Sequence, residues 1–134
     1  MEPLTQDEAT RMLAAAVTKA KETAINPVSI AIVDPRGDLV ALTRMDGALW
    51  RTVPVSQGKA AASAAFDAPS GDLKDRWDMP VFRALSMMED GRLIPWQGAL
   101  PIKRGDGILL GAIGTSGAKS EEDEAVSAAG IAAI

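Results

Sequence analysis

Hydrophobic residues near the start of the chain recur at the three- and four-residue spacing of an amphipathic helix. The repeat runs over residues 5–24, where alanine, methionine, leucine and valine fall on one face. Thr5 and Glu8 form the capping-box pattern that begins many helices. The Asn26–Pro27 pair ends the repeat, because the residue before a proline is pushed out of the helical region. We therefore predict a helix over residues 5–24.

The next segment, residues 28–48, has a pattern typical of two strands around a tight turn. Residues 28–33 are rich in β-branched side chains, and residues 38–45 follow as a partner strand. Between them the sequence DPRG places proline at the second position of a turn and glycine after it. The segment predicts an antiparallel hairpin that ends in the polar loop RMDGA.

The rest of the chain predicts a second pair of strands among further helices. The alanine-rich segment 52–66 is typical of a helix that packs closely, and Gly58 within it suggests that another element approaches its backbone. Two short helices follow, over residues 70–77 and 80–87. A loop with a strand then covers 93–102, and the last strand covers 108–113. A final helix begins at about residue 120 and is capped by Ser120. Because hairpins join the strands, we predict one domain, 1–134, of α+β class, with an antiparallel sheet and helices packed against it.

Composition narrows the classes of function. The net charge is −4, and no basic cluster is longer than Lys103–Arg104, so we expect no nucleic-acid partner. No apolar run approaches the roughly 18 residues of a membrane span, so we expect no membrane partner. The polar, acidic first residues do not resemble a signal peptide. We therefore expect a soluble cytoplasmic protein.

The chain contains no histidine and no cysteine, and it also lacks tyrosine. These absences remove the usual catalytic triads and most metal sites, so we expect no metal centre. Ser116 has no histidine to activate it as a nucleophile. The glycines of GAIGTSG do not have the spacing of a phosphate loop, and we interpret Gly111 and Gly114 as sites of close packing.

Several charged residues have both a structural and a functional interpretation. Arg44 suits either a salt bridge at a strand end or the binding of a carboxylate, with Arg51 nearby as a second positive charge. Lys59 is either a solvated lysine or, if buried, an acid, a base or a Schiff-base amine. Glu122 belongs to an acidic cluster that favours a helix start, and it or Asp123 could transfer protons at a pocket edge.

Two tryptophans, Trp50 and Trp96, flank the predicted polar loops rather than lying within strands. Exposed tryptophans line pockets or oligomer interfaces, and we favour the interface for this pair.

Four motifs in order resemble the GlcG/HbpS-like family, which includes glycolate-operon GlcG proteins, secreted heme-binding proteins and the C-terminal domain of PduO-type proteins. They are VSIAIVDPRGDLVALTRMDGA, GKAAASAAF, GALPIKRGDGILLGAIGTSG and SEEDEAVSAAG. The resemblance implies a profilin-like fold with a five-stranded antiparallel sheet flanked by helices. It also implies homo-oligomers, dimers or larger, and matches Lys59 to a family lysine. Ala99 replaces the second glycine of the family's G-G-L-P-I pattern.

The resemblance suggests heme as the cofactor, because several family members bind or degrade it. Of the side chains that usually ligate heme iron, only methionine is present in this chain, at Met45, Met79, Met87 and Met88 among others. Methionine in an apolar run is usually core filler. No cofactor is therefore certain, and heme or a related tetrapyrrole is one candidate ligand among several.

These residues predict a pocket between the second helix, the RMDGA loop and the GALPI loop. In it Arg44 and Lys59 hold an anionic group with help from Arg51, Asp46 orients them, and apolar contacts come from Trp96, Leu100 and Pro101. The first hypothesis is a small-molecule-binding protein, with heme or a tetrapyrrole as the family's candidate. The alternative is a metal- and cofactor-independent enzyme, a lyase or isomerase acting on a small organic acid or an aromatic catabolite, with Lys59 and Glu122 as acid and base.

Overall fold

Four antiparallel strands form the sheet of the computed structural model, which describes residues 3–134. Their order across the sheet is β2-β1-β4-β3, and their bounds are β1 Ser29–Val33, β2 Leu39–Arg44, β3 Ala99–Lys103 and β4 Leu109–Ser116. The helices are α1 Gln6–Glu22, α2 Thr52–Phe66, a 3₁₀ helix Ser70–Arg76, α3 Pro80–Met88 and α4 Ser120–Ile131. Within the described residues, no helix has the length and apolar character that crossing a membrane requires.

The α+β class and the antiparallel hairpin are confirmed, but the expectation of five strands is wrong for the described residues. β1 pairs antiparallel with β2 on one side and with β4 on the other, so the hairpin supplies one edge and the centre of the sheet. The long connection from α2 to β3 forms the 3₁₀ helix and α3. That connection therefore adds no strand to the sheet.

Helices cover both faces of the sheet. On one face, α1 and α4 bury the main core, which includes Met12, Ile30, Ile32, Ile113 and Val126. On the other face α2 packs its alanines against Val33 and Ala112. β1 is buried along its whole length because it is central and covered on both faces.

Glycines allow α2 to lie directly against the sheet. A Cβ on Gly114 would collide with the Ser56 carbonyl oxygen and come within 2.8 Å of the Ala60 nitrogen. A Cβ on Gly58 would lie 2.6 Å from Ile94 Cδ1. The interpretation of Gly114 and Gly58 as sites of close approach is confirmed. At Gly111 the close neighbour is the end of strand β1 rather than a helix, because a Cβ there would collide with the carbonyl oxygen of Val33.

The boundaries of the first two helices match their predictions closely. α2 has the predicted bounds, and α1 begins after Thr5 with the predicted capping box but ends at Glu22, slightly before residue 24. The Thr5 hydroxyl accepts from the Glu8 amide at 3.1 Å, and Glu8 accepts from the Thr5 amide at 3.0 Å.

Two predictions near the end of the chain are wrong. The last strand continues to Ser116 instead of ending at 113, because the backbone of its glycine-rich end pairs with β1 and β3. Ser120 is the first residue of α4 and not its cap, since Lys119 holds that position and its amide donates to Glu122 Oε1 at 3.1 Å.

Candidate functional site

A cavity of about 540 Å³ opens between the start of α2, the loop that follows β2, the segment before β3, and the turn that joins β4 to α4. Its volume lies in the range of small-molecule sites, roughly 300–1,000 Å³. It is lined by Asn26, Pro27, Gly47, Leu49, Arg51, Thr52, Val55, Lys59, Ile94, Trp96, Ser116, Gly117, Ala118, Ser120 and Asp123.

A buried ion pair, Lys59–Asp123, forms part of the cavity lining. Lys59 is 3% exposed, and its Nζ donates to Asp123 Oδ2 at 3.1 Å and to the Thr115 carbonyl oxygen at 3.0 Å. An ammonium group has three N–H donors. Among the described residues, Nζ hydrogen-bonds these two acceptors alone, which leaves its third N–H without a protein acceptor.

The sequence predicts that Glu122 or Asp123 transfers protons at a pocket edge, and Asp123 is the one that contacts Lys59. Its Oδ1 accepts from the Ala118 amide at 3.0 Å, which fixes the carboxylate at the first turn of α4. Burial raises the pKa of Asp123, while the neighbouring Lys59 ammonium opposes that rise. Glu122 instead bonds the Lys119 amide, and it does not line the cavity.

A helical pattern could have distinguished Asp123 from its acidic neighbours. Asp123, Val126, Ser127 and Gly130 recur at helical spacing and are the buried residues of α4. An acidic residue on the apolar face of a helix is expected to have a partner when buried.

Gly98 provides the space that the Lys59 side chain occupies. A Cβ at this position would lie 2.7 Å from Lys59 Nζ and 2.6 Å from the Thr115 carbonyl oxygen, and Gly98 has φ of +147°. The Gly98 carbonyl oxygen accepts from the Ser127 hydroxyl at 2.7 Å, and Ser127 also bonds Thr115 at 2.9 Å. These buried bonds hold the backbone around the ion pair.

The rim of the cavity combines the Arg51 cation with apolar side chains. Arg51 is exposed at the residue just before α2, and Leu49 and Trp96 are also exposed, 52% and 53% respectively. The Trp96 indole donates from Nε1 to Ser120 Oγ at 3.1 Å. Trp50, 72% exposed, does not line the cavity.

The structure therefore brings together three of the predicted ligand-binding residues, Arg51, Lys59 and Trp96, and leaves four others outside the cavity lining. Arg44 donates from Nε and Nη2 to the Ala48 carbonyl oxygen at 3.1 and 2.8 Å, which closes the loop after β2. Asp46 is exposed on that loop. The other two, Leu100 and Pro101, are half-buried in the edge strand β3.

The family of this chain follows from its match to a protein-family model. The model described as haem degrading protein HbpS-like matches residues 4–132. The chain belongs to the HbpS-like family. No curated protein matches this chain significantly.

Solved structures of HbpS-like proteins and their relatives share this fold. A structure described as a PduOC:heme complex is 29% identical with a TM-score of 0.86, over 99% of this chain and 96% of that one. A double mutant of HbpS from Streptomyces reticuli is 28% identical with a TM-score of 0.85, over 100% and 88%. The Klebsiella pneumoniae protein ORFY, 24% identical with a TM-score of 0.87 over 99% and 91%, shows the fold alone.

The cavity lining does not fit a heme whose iron is ligated by the usual side chains. Such ligands are histidine, cysteine, methionine or tyrosine, and none of these types is among the described residues that line the cavity. Met79, Met87 and Met88 are exposed at or in α3, and Met45 packs against the main core.

Proposed function

We propose that this HbpS-like protein binds a small organic monocarboxylate in the cavity beside α2. The main support for this proposal is the Lys59 ammonium group. It is buried in the cavity lining, and its third N–H donor is left for a ligand. A carboxylate that accepts from this donor would form a charge-assisted hydrogen bond in a protected site.

The charges and apolar surfaces of the cavity support this class of ligand. Arg51, Lys59 and Asp123 are the charged residues among the described lining, and their formal sum is one positive charge. One carboxylate would balance that charge. Val55, Ile94 and other apolar side chains of the lining would contact an apolar or aromatic remainder of the ligand.

Calorimetric titration with a panel of aromatic and aliphatic carboxylates tests this proposal. We expect saturable binding of monocarboxylates and weaker binding of the matching amides. Arg51→Gln should weaken binding about tenfold, because it removes the rim cation. Arg11→Gln, which changes an exposed arginine on α1, is the matched control. If no carboxylate binds, or if the amides bind as tightly, the proposal is wrong.

Heme, or a related tetrapyrrole, is the second candidate ligand because a similar structure is described as a heme complex. Heme carries carboxylate groups that Arg51 could bind at the rim. An absorbance titration should then show a saturable spectrum unlike that of histidine-ligated heme, and Arg51→Gln should weaken it. A spectrum that does not saturate removes heme from consideration.

The alternative function is a metal- and cofactor-independent lyase or isomerase that acts on a small organic acid. The Lys59–Asp123 pair favours it, because a buried acid with a raised pKa beside an amine is a common arrangement for proton transfer. Asp123→Asn should abolish turnover and leave binding measurable. The sequence-based choice of Glu122 is tested by Glu122→Gln, and the variant that loses turnover identifies the acid–base residue.

We also propose that the chain forms a homo-oligomer and that its sheet and helices have a profilin-like arrangement. Large apolar side chains that remain exposed support the first statement. The antiparallel sheet covered by helices supports the second.

A further inference from the structure

A second cavity, of about 270 Å³, lies directly beside the candidate site. The two cavities share two lining residues, Trp96 and Ser120. These are the two residues joined by the bond from the Trp96 indole to the serine hydroxyl. The indole and its serine partner therefore border both spaces, as a wall that the two cavities share.

The backbone of Trp96 is held by hydrogen bonds on both its carbonyl oxygen and its amide, whereas its indole has few contacts. The Trp96 carbonyl oxygen accepts from the Ser70 hydroxyl at 2.6 Å, and the Trp96 amide donates to the Ile94 carbonyl oxygen at 2.9 Å. Among the described residues, the indole has one hydrogen bond, to Ser120, and one cationic neighbour, Lys74, whose Nζ is 5.6 Å from the ring centroid. The indole is thus the part of this wall that can be removed without disturbing the strand that follows.

The two spaces differ in chemistry. The candidate site has apolar walls and a formal positive charge, as described above. The second cavity is lined by polar and charged side chains, among them the carboxylates of Asp72 and Glu124, together with Lys74 and Gln97. Gln97 Nε2 donates to Glu124 Oε2 at 3.2 Å. Carboxylates accept hydrogen bonds, so this space suits a group that donates them, such as an ammonium.

We propose that Trp96 is a specificity-determining residue that sets the maximum length of the ligand. This inference rests on the proposed carboxylate-binding function. With the indole in place, a ligand that starts at Lys59 ends at the wall. Without it, the two cavities form one groove, which would accept a longer molecule with a carboxylate at one end and an ammonium group at the other.

The test uses unbranched ω-amino carboxylates of increasing chain length as probes, titrated calorimetrically into the wild type and Trp96→Ala. In the wild type, we expect affinity to fall sharply beyond one chain length. In Trp96→Ala, that limit should move to longer probes, with at least tenfold tighter binding of the first probe that the wild type rejects. Trp50→Ala, which removes an exposed tryptophan outside both cavities, should keep the wild-type limit.

A second variant covers the case in which Trp96→Ala does not fold. Ser120→Ala removes the hydrogen bond that holds the indole, and it should raise the affinity for the longer probes in the same direction. An unchanged length limit in both variants, with short probes still bound, overturns this inference alone. If neither the wild type nor the variants bind any probe, and simple monocarboxylates also fail, the proposed function is overturned together with it.

Discussion

At the scale of single residues, the buried Lys59–Asp123 ion pair has the strictest requirement for both of its partners. Both side chains are almost fully buried, 4% and 3% exposed, and each has a second polar partner on the backbone. Removing one charge of such a pair leaves the other buried without compensation. The pair therefore makes stability and function depend on the same two residues.

Lys59→Met should lower the free energy of unfolding by about 3 kcal/mol or more at neutral pH. The Lys59 ammonium lowers the pKa of Asp123 against the effect of burial, so its loss raises that pKa further. A raised folded-state pKa favours folding below the unfolded-state value and loses this contribution as the pH rises. The deficit should therefore be largest near neutral pH and shrink as Asp123 becomes protonated in acid.

Urea unfolding of the wild type and Lys59→Met at neutral pH and near pH 4 measures this effect. Lys21→Met, at an exposed lysine of α1, provides the control and should change stability little at either pH. A deficit that is equal at both pH values, or larger in acid, would contradict the assigned role of Asp123.

Single residues also show how far the sequence could predict the site. Arg51, Lys59 and Trp96 were candidates because of their types, and all three line the cavity. Arg44 was a candidate for the same reason, but its guanidinium bonds a backbone carbonyl of its own loop. Composition shows which side chains could bind an anion, whereas only the folded backbone determines which of them already have a partner.

At the scale of secondary-structure elements, α2 lies close to β4 because Gly114 of β4 has no side chain. Gly114→Ala would place a methyl group against the backbone of Ser56 and Ala60. Since α2 also carries Lys59, the helix cannot retreat without disturbing the ion pair. We expect a loss of about 2 kcal/mol or more, as overpacking in a close-packed interior usually costs.

Thermal unfolding followed by circular dichroism tests the Gly114→Ala prediction. Gly105→Ala is the matched control, because a Cβ there meets nothing within 4 Å and its φ lies outside the left-handed region. The control should unfold at the wild-type temperature or slightly above. Equal midpoints for both variants would show that α2 can move away from β4 at little cost.

The start of α1 is tied to the loop after β3 by one carboxylate. Glu8 accepts from Arg104 Nη1 and Nη2, both at 3.0 Å, as well as from the Thr5 amide. The hydrogen bonds from Arg104, and then that from Thr5, lower the pKa of Glu8 from 4.5 to about 2. Glu8 therefore connects a helix cap to a loop 96 residues later in the chain.

Glu8→Gln should destabilise the protein above pH 4.5 and have progressively less effect as the pH falls toward 2. The sign follows because a lowered folded-state pKa contributes stability above the unfolded-state value and loses it as the carboxylate is protonated. Asp7→Asn, at an exposed residue in the same first turn, separates this effect from the helix dipole. Parallel pH profiles of stability for the two variants would exclude a specific role for the Arg104 contact.

Elements were easier to predict than the sites they build. α2 and the hairpin have strong local patterns, alanine spacing in one case and a proline-glycine turn in the other. The sequence predicts that the last strand ends at residue 113, whereas β4 continues to Ser116. There the pairing with β1 and β3 overrides local preference, and such long-range pairing is not visible in a local pattern.

At the scale of the whole molecule, exposed apolar side chains predict self-association. Among residues 3–134, eleven large hydrophobic residues are at least 39% exposed, including Trp50, Met87 and Met88. Sedimentation velocity at micromolar concentration should show a species larger than one 14.0 kDa chain. A monomer at every concentration tested would contradict the proposed homo-oligomer.

The central position of β1 also constrains the order in which the chain can fold during synthesis. β1 gains its first partner, β2, immediately, but its second partner, β4, leaves the ribosome only after most of the chain has been made. Until then, one edge of β1 lacks its final partner, and the alanines of α2 lack Ala112 of β4, one of the two sheet residues against which they pack. Closing this long loop is slow compared with forming the hairpin, so we expect the β1–β2 hairpin to form before β1 pairs with β4.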